Sequence, residues 1–523
     1  MEQVTTPVAP AAPPALAAAG AGVLAAAVAL GVAELAAGIT GGRSLVVAVG
    51  DWIINHAPNG LVEFGKRNFG TDDKAVLVTT IVVLSLVFGA VLGLAARRHR
   101  VVGGVGIAAF GCVGFLAALA DPQHDAGSAA FAAIVGVAAG VTALWLLLRA
   151  AVPLAASPPT TGQAAGPDRR AFLRLAAGAL VVSGSGALIG RALLTSGTRA
   201  LAAARQKLRL PPAPNPVAPP TAAMDVGVSG VTPLVTANND FYRIDTALTY
   251  PQIDYEHWRL RVHGMVTAPL TMSFDELAAM ELIEQYVTIG CVSNEVGGNL
   301  VSTAAWRGVR LRDLLDRAGV DPAADQVVGR SADDFTVGFP TTAALDDRGA
   351  MVALAMNGEP LPIEHGFPAR LIVPGLYGYV SATKWLTDIE LARFDSFDAY
   401  WVERGWTQQG PIKTQSRIDV PSSRRTLRAT TVAVAGVAWA PTKGISKVEV
   451  QVDRGTWQTA SLADALSADT WRQWVYRWDA TPGTHRLRVR ATDGSGTLQD
   501  GRDQPPEPSG ATGYHTVHVT VTA

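Results

Sequence analysis

The sequence predicts a multi-domain chain in three parts: an α-helical transmembrane bundle, an α+β domain and a C-terminal β-sandwich. Three observations predict it. Apolar runs of spanning length, rich in Ala, Val, Leu and Gly, crowd the first two hundred residues. Past residue 220 the composition turns ordinary, and short strands and short helices follow in no strict alternation. In the last hundred residues the pattern becomes period-two strands broken by Gly, Asp and Pro. At 523 residues the chain is too long for one core, and its formal net charge of −1 gives no reason to expect nucleic acid.

Residues 1–196 form the expected transmembrane region. A span needs about 20 apolar residues, and five segments reach that length: 15–38, 75–96, 101–120, 127–148 and 171–195. Arg97-Arg98-His99-Arg100 joins the second and third, and Arg149, Arg169 and Arg170 fall between the fourth and fifth. Asp121-Pro122-Gln123-His124-Asp125, between the third and fourth, has no Lys or Arg. The positive-inside rule then puts the N-terminus in the cytoplasm and everything after residue 196 outside, in a multi-pass cell-membrane protein. The loop 39–74 falls outside too, although it carries Arg43, Lys66, Arg67 and Lys74; Asp51, Glu63, Asp72 and Asp73 soften that conflict.

Asp168-Arg169-Arg170-Ala171-Phe172-Leu173-Arg174 before the last apolar run is similar to a twin-arginine export signal. A plain positive-inside anchor reads the same way, so a retained anchor and a processed signal both stay open. Glu34, in the first span, is read either as lining a quinone or proton route or as sitting near the helix end. His56, His99 and His124 are expected in loops, leaving no intramembrane histidine pair for haem. Cys112 lies in an apolar Gly/Ala/Phe run and is expected to face lipid or pack; neither it nor Cys291 is read as a disulfide staple.

Residues 197–223 are read as a Pro/Ala-rich linker, with Pro211-Pro212-Ala213-Pro214-Asn215-Pro216 and Pro219-Pro220 making a semi-rigid extended spacer. The domain at 224–420 opens with Asn238-Asn239-Asp240-Phe241-Tyr242-Arg243. It continues through the strand Trp258–Gly264 and a helix N-capped by Ser273 with acids in its first turn. Then Tyr286-Val287-Thr288-Ile289-Gly290 delivers Cys291 into the turn-forming Val292-Ser293-Asn294-Glu295. A strand that ends so places one side chain at the mouth of a site, where a thiolate serves as soft metal ligand or nucleophile. Ala305-Trp306-Arg307-Gly308-Val309 and a helix over 312–318 closed by Gly319 come next.

These stretches, with Asn357-Gly358-Glu359-Pro360-Leu361-Pro362-Ile363-Glu364-His365-Gly366-Phe367-Pro368-Ala369-Arg370 and the run from Val373-Pro374-Gly375-Leu376-Tyr377-Gly378 to Lys384-Trp385, carry a family likeness. Over approximately 225–520 the chain resembles the sulfite oxidase family of molybdopterin-dependent oxidoreductases, including its exported bacterial reductase branch. The resemblance implies a molybdenum–molybdopterin cofactor, with Cys291 as the protein's thiolate on the metal. Arg243 matches the arginine near the metal's oxygen ligands, which with Cys291 makes the implied catalytic pair. His365 and Arg370 match residues on the pterin and its phosphate, and Lys384 matches the same cofactor loop. Asn239, Phe241, Tyr242, Ser293, Asn294, Gly375, Tyr377 and Ser381 complete the implied cofactor-binding set.

Two departures bear on the substrate. The family's sulfite oxidases follow the cysteine with Gly-Asn-Arg-Arg, whereas this chain has Ser293-Asn294-Glu295-Val296. A carboxylate there repels a dianion. The family's metal-side tyrosine falls nearest to Phe335, which cannot donate a hydrogen bond. The expected reaction is therefore two-electron oxygen-atom transfer on a small neutral substrate such as a sulfoxide. Sulfite oxidation with a rebuilt anion site, and a non-catalytic scaffold that keeps the fold, are the alternatives.

The strands 432–439, 445–452, 474–478 and 485–492 within 428–523 resemble the same family's immunoglobulin-like dimerisation domain, so a homodimer is one arrangement open to the chain. Trp471, Trp474, Tyr476 and Trp478 are read as core. Beyond residue 196 there is no cysteine set for an iron–sulfur cluster and no Cys-x-x-Cys-His, so a separate electron-transfer partner, a cytochrome or a quinone, is expected in addition to the substrate and the lipid bilayer.

Overall fold

The computed structural model describes residues 12–69, 72–121, 123–152 and 169–523, which divide into two compact units. The loop between the fourth and fifth spans, with Asp168 of the arginine motif, lies outside the described residues.

The first unit, up to Leu201 with Thr246–Gln252, is helical: α1 (Ala15–Thr40), α2 (Leu45–His56), α3 (Asn59–Phe69), α4 (Asp73–Ala96), α5 (Arg100–Leu119), α6 (Ala126–Ala151) and α7 (Arg169–Lys207). Among the described residues α1, α4, α5, α6 and α7 are long and apolar enough to cross a membrane. Small residues let α1 meet its neighbours backbone to backbone. A Cβ at Gly22 would lie 1.9 Å from the Gly89 carbonyl oxygen of α4, and one at Gly136 of α6 would lie 2.9 Å from that of Ala29. Cys112 is exposed on α5, and neither cysteine is in a disulfide.

The stretch 39–74, expected to be a loop, instead holds α2 and α3, and His56 is the last residue of α2 rather than a loop residue. The twelve residues of α2 are apolar but too few to span a bilayer. Arg43 and Lys74, which run against the expected charge bias, are both engaged. Arg43 pairs with Asp121 at 2.5 Å, and Lys74 donates to the Ala247 carbonyl at 2.6 Å. His124 is in a loop as expected, with Nδ1 3.0 Å from Asp121.

The fifth apolar helix also runs further than expected, to Lys207, because Gly and Ser inside it are outnumbered by Ala, Leu and Arg. The proline run after it does not stand free of the globular unit. Ala213 is 4 % exposed within the core there, Leu208 and Leu210 pack on that core, and the Val217 N–H reaches Glu284 at 3.3 Å.

The second unit comprises Ala202–Asp245 and Ile253–Ala523. Its first part has ten strands: β1 (Arg259–Gly264), β2 (Leu270–Ser273), β3 (Leu282–Gly290), β4 (Val301–Arg310), β5 (Gln326–Ser331), β6 (Thr336–Pro340), β7 (Met351–Met356), β8 (Glu359–Pro360), β9 (Arg370–Ile372) and β10 (Leu386–Ala392). They make two sheets, β2-β1-β10-β5-β6 and β3-β4-β7-β8, with β9 also paired to β7. The core between them holds Leu260, Phe274, Leu314, Phe339, Val352 and Leu386. Helix α8 (Phe274–Ala278) starts from a complete Ser273/Glu276 capping box, and α9 (Leu311–Ala318) ends on Gly319 at φ +67°.

The last part has nine strands: β11 (Gln415–Val420), β12 (Thr426–Arg428), β13 (Thr431–Trp439), β14 (Ile445–Val452), β15 (Gln458–Thr459), β16 (Ser461–Leu462), β17 (Arg472–Asp479), β18 (Gly483–Asp493) and β19 (Thr516–Thr522). Sheets β11-β13-β17-β16 and β12-β19-β18-β14-β15 enclose Val434, Trp474, Leu487 and Val519. Trp474 and Trp478 are buried in this core and Tyr476 packs on it, while Trp471 is buried in a separate cluster with Val301, Val437 and Trp439. The boundary needs correcting: Gln415–Val420, read as the end of the preceding domain, is a sandwich strand paired with β13.

Candidate active site

Strand β3 ends at Gly290, and Cys291 follows it, 9 % exposed, with its N–H bonded to the Leu300 carbonyl at 2.9 Å. The loop then folds on itself. Asn294 N–H returns to the Cys291 carbonyl at 3.1 Å, and Asn294 Oδ1 accepts from Leu300 N–H at 2.8 Å. Asn294 thus shapes the loop, while Ser293 is exposed. Against Cys291 stand two tyrosines. Tyr242 sits with its hydroxyl beside Gly378, and its N–H is bonded to Ser302 Oγ at 3.2 Å. Tyr377 lies with its ring 3.9 Å from where a Cβ on Gly290 would be. Burial, with the Cys291 thiolate adding, raises both phenols, Tyr377 to about 12, so both remain O–H donors at neutral pH.

The stretch 363–385 brings a second group alongside. His365 is 1 % exposed, and its Nε2 lies 2.7 Å from the Asn238 carbonyl. A carbonyl only accepts, so Nε2 carries the proton and Nδ1 is left as an acceptor. Burial, reinforced by Arg370, Lys384 and Arg243, lowers this imidazole to about 4, and it is neutral at physiological pH. Arg370 is 3 % exposed; Nη1 donates to the His365 carbonyl at 3.0 Å and the guanidinium lies 5.0 Å from the Trp306 ring. Burial lowers it to about 10. Lys384 donates to Asp245 at 3.0 Å. His365 Nδ1, Arg370 Nε and Thr383 Oγ1 are buried and make no hydrogen bond to protein. Native structures rarely leave such groups unmatched, and three in one short stretch is what a polar ligand would complete.

Of the residues expected from sequence, Phe241, Tyr242, Cys291, His365, Arg370, Tyr377 and Lys384 come together through these contacts. Phe241 packs edge-on to both Trp306 and His365, at 5.6 and 5.5 Å. Arg243 is exposed and acts on His365 electrostatically. Ser381 Oγ donates to the Tyr377 carbonyl at 3.0 Å, and Gly375 turns the chain at φ +85°; each supports the loop from within. Asn239 is exposed, and the asparagine that bonds His365 is its neighbour Asn238. Asn238 is in turn held by Asn357 Nδ2 at 2.8 Å. Phe335 packs on Tyr400 at 5.5 Å. Sequence reasoning passed over Asn238, Asp245, Trp306 and Thr383 as site residues. All four stand in stretches that the sequence singles out, Asp245 at the end of the one opened by Asn238 and Thr383 just before Lys384, but nothing local marks them as site residues.

The chain matches the model of the oxidoreductase molybdopterin binding domain over residues 247–401. It is 27% identical over 330 residues to the mitochondrial sulfite oxidase of Homo sapiens, covering 52% of this chain and 59% of that one. It therefore spans less than two thirds of the length of the sulfite oxidases it matches. With the uncharacterized oxidoreductase YuiH of Bacillus subtilis it shares 34% identity over 157 residues, covering 30% of this chain and 76% of the relative. The fold is similar to that of the sulfane dehydrogenase SoxCD of Paracoccus pantotrophus, with a TM-score of 0.50 at 23% identity, over 55% of this chain and 82% of that one.

Proposed function

The chain belongs to the sulfite oxidase family of molybdopterin-binding oxidoreductases, and from that premise we propose a membrane-anchored, extracytoplasmic enzyme that transfers an oxygen atom, with two electrons, to or from a small neutral substrate such as a sulfoxide. The observation that carries this reading is the loop after Cys291. Where the family's sulfite oxidases place two arginines, Glu295 and Val296 stand here, with Glu295 exposed. A carboxylate at the mouth disfavours an anion and leaves a neutral oxide unopposed.

The residues present fit the cofactor. Cys291 offers a soft thiolate donor. The unmatched Nδ1 of His365 would accept a ligand N–H, and Arg370, with Arg243 and Lys384 near, suits a terminal phosphate. When bound, the group supplies the two-electron redox chemistry. This chain's residues then bind and orient. Arg370 and His365 would hold the ligand's polar edge, Tyr242 and the Tyr377 ring would wall the pocket near the thiolate, and Arg243 stands exposed to meet the substrate's oxygen. Sidedness rests on the Arg97-Arg98-His99-Arg100 loop against the Lys/Arg-free 121–125 loop. Electrons pass singly to a cytochrome or quinone partner, and the sandwich is read as immunoglobulin-like.

Steady-state turnover of the purified full chain, with an artificial electron carrier and either methionine sulfoxide or sulfite, tests the substrate. Saturable turnover of the sulfoxide alone is expected. A second reading, sulfite oxidation, is favoured by the naming of the mitochondrial relatives, and saturable sulfite turnover at low concentration would establish it in place of the first. Purified protein without stoichiometric molybdenum would leave only the scaffold reading. Cys291→Ser should abolish turnover in a protein that still folds; normal activity would refute the ligand assignment.

A further inference from the structure

The sandwich touches the cysteine-bearing strand and loop at three separate places. First, β3 is the edge strand of its sheet, and its free edge is covered from the loop before β17. Thr288 N–H donates to the Asp469 carbonyl at 2.9 Å, and Trp471 N–H donates to Thr288 Oγ1 at 2.8 Å. Second, Arg417 of β11, 8 % exposed, divides its guanidinium three ways. Nη1 donates to the Gly298 carbonyl at 2.7 Å, Nη2 to Thr232 Oγ1 at 2.6 Å and Nε to Asp419 at 2.7 Å. Third, His515 lies flush against Gly297. A Cβ there would stand 2.2 Å from the ring, and the ring is fixed by Ile418 N–H donating to Nδ1 at 3.0 Å.

We propose that the C-terminal sandwich is a positioning element for Cys291, with Arg417 and His515 clamping the 291–300 loop from outside. This rests on the reading of Cys291 as the metal's thiolate ligand. A ligand is only as well placed as the segment that carries it, and outer partners set its direction. Within its own domain the loop is tied at its base by the Cys291–Leu300 and Asn294–Leu300 hydrogen bonds. Its far side, at Gly297 and Gly298, is held by the sandwich. A planar guanidinium reaches three acceptors at fixed angles, which an ammonium cannot do. Arg417 and His515 therefore act through the loop and touch no reacting atom.

The test uses the full chain as wild type, Arg417→Ala, Arg417→Lys and Gly297→Ala, each purified with cofactor and from a cofactor-deficient host. In the cofactor-free protein, iodoacetamide labelling of Cys291 is followed peptide by peptide, with Cys112 as internal reference, beside hydrogen exchange over 291–300. Losing a buried charge-assisted hydrogen bond should raise Cys291 labelling roughly ten- to a hundredfold, with exchange in β13 and β18 unchanged. In the loaded protein the Mo(V) resonance should broaden or shift, and Arg417→Lys should fail to restore it. Unchanged labelling, loop exchange and resonance in Arg417→Ala would overturn the proposal. Where Arg417→Ala does not fold, Gly297→Ala, which pushes on the clamp from the loop side, decides by the same criteria. Labelling reads the clamp without metal, and wild-type molybdenum content reads the ligand assignment, so the two ideas fail separately.

Discussion

Replacing Arg370 by Met separates a residue kept for the fold from one kept for a ligand. Burial takes this guanidinium from its usual 12.5 to about 10. Its main hydrogen bond goes to a neutral carbonyl, that of His365, and Nε has no protein partner. At 1.36 kcal/mol per pKa unit, keeping the charge in this site costs on the order of 3 kcal/mol at neutral pH. The sign follows from the depressed value: the folded state disfavours the cation at every pH below about 10. Against that stands one hydrogen bond from a charged donor, about 1.5–3 kcal/mol, and the stacking over Trp306. Arg370→Met removes the cost and the bond together and keeps most of the volume. The cofactor-free variant should therefore melt within a few degrees of wild type, or slightly above it. The loaded preparation should lose most of its molybdenum, because the buried cation that would meet the cofactor's phosphate is gone. Differential scanning fluorimetry of the full chain in detergent and metal analysis read the two halves. A fall in melting temperature of the size a core lesion gives, with molybdenum content unchanged, would refute the reasoning.

Two further outcomes follow from burial. His365 titrates near 4 when folded against 6.5 unfolded, so between those values the unfolded chain holds the extra proton and stability falls as pH drops. Cofactor-free protein should lose on the order of 3 kcal/mol through this group from pH 6.5 to 4. His365→Gln should flatten that stretch of the melting curve against pH, and an unchanged slope would contradict the assignment. Trp471 is 1 % exposed and its indole N–H reaches the Leu234 carbonyl at 2.8 Å; Trp471→Ala should cost about 3–5 kcal/mol by denaturant titration, and a loss below about 1 kcal/mol would show the site open to water.

What the sequence by itself determined is what repeats locally. Apolar length marked the five spans, period two marked β1, β13, β14, β17 and β18, and Ser273 with Glu276 marked a helix start. A cysteine after a β-type run, followed by Ser and Asn, pointed to the mouth of the proposed site before any contact was known. What only the tertiary structure decided is partnership across long separations. The Asp245–Lys384 pair spans 139 residues and the Arg417–Gly298 contact 119, and no local pattern encodes either. The same holds for Gln415–Val420, taken from the sequence only as the end of the preceding domain, since a strand's partner is chosen by the edge that is open to it. Asn238 rather than Asn239 holds His365 because the turn at 237–241 aims one carbonyl at the imidazole. Helices α2 and α3, too short to register as spans, were missed for a related reason: their stability comes from the packing around them rather than from their own length.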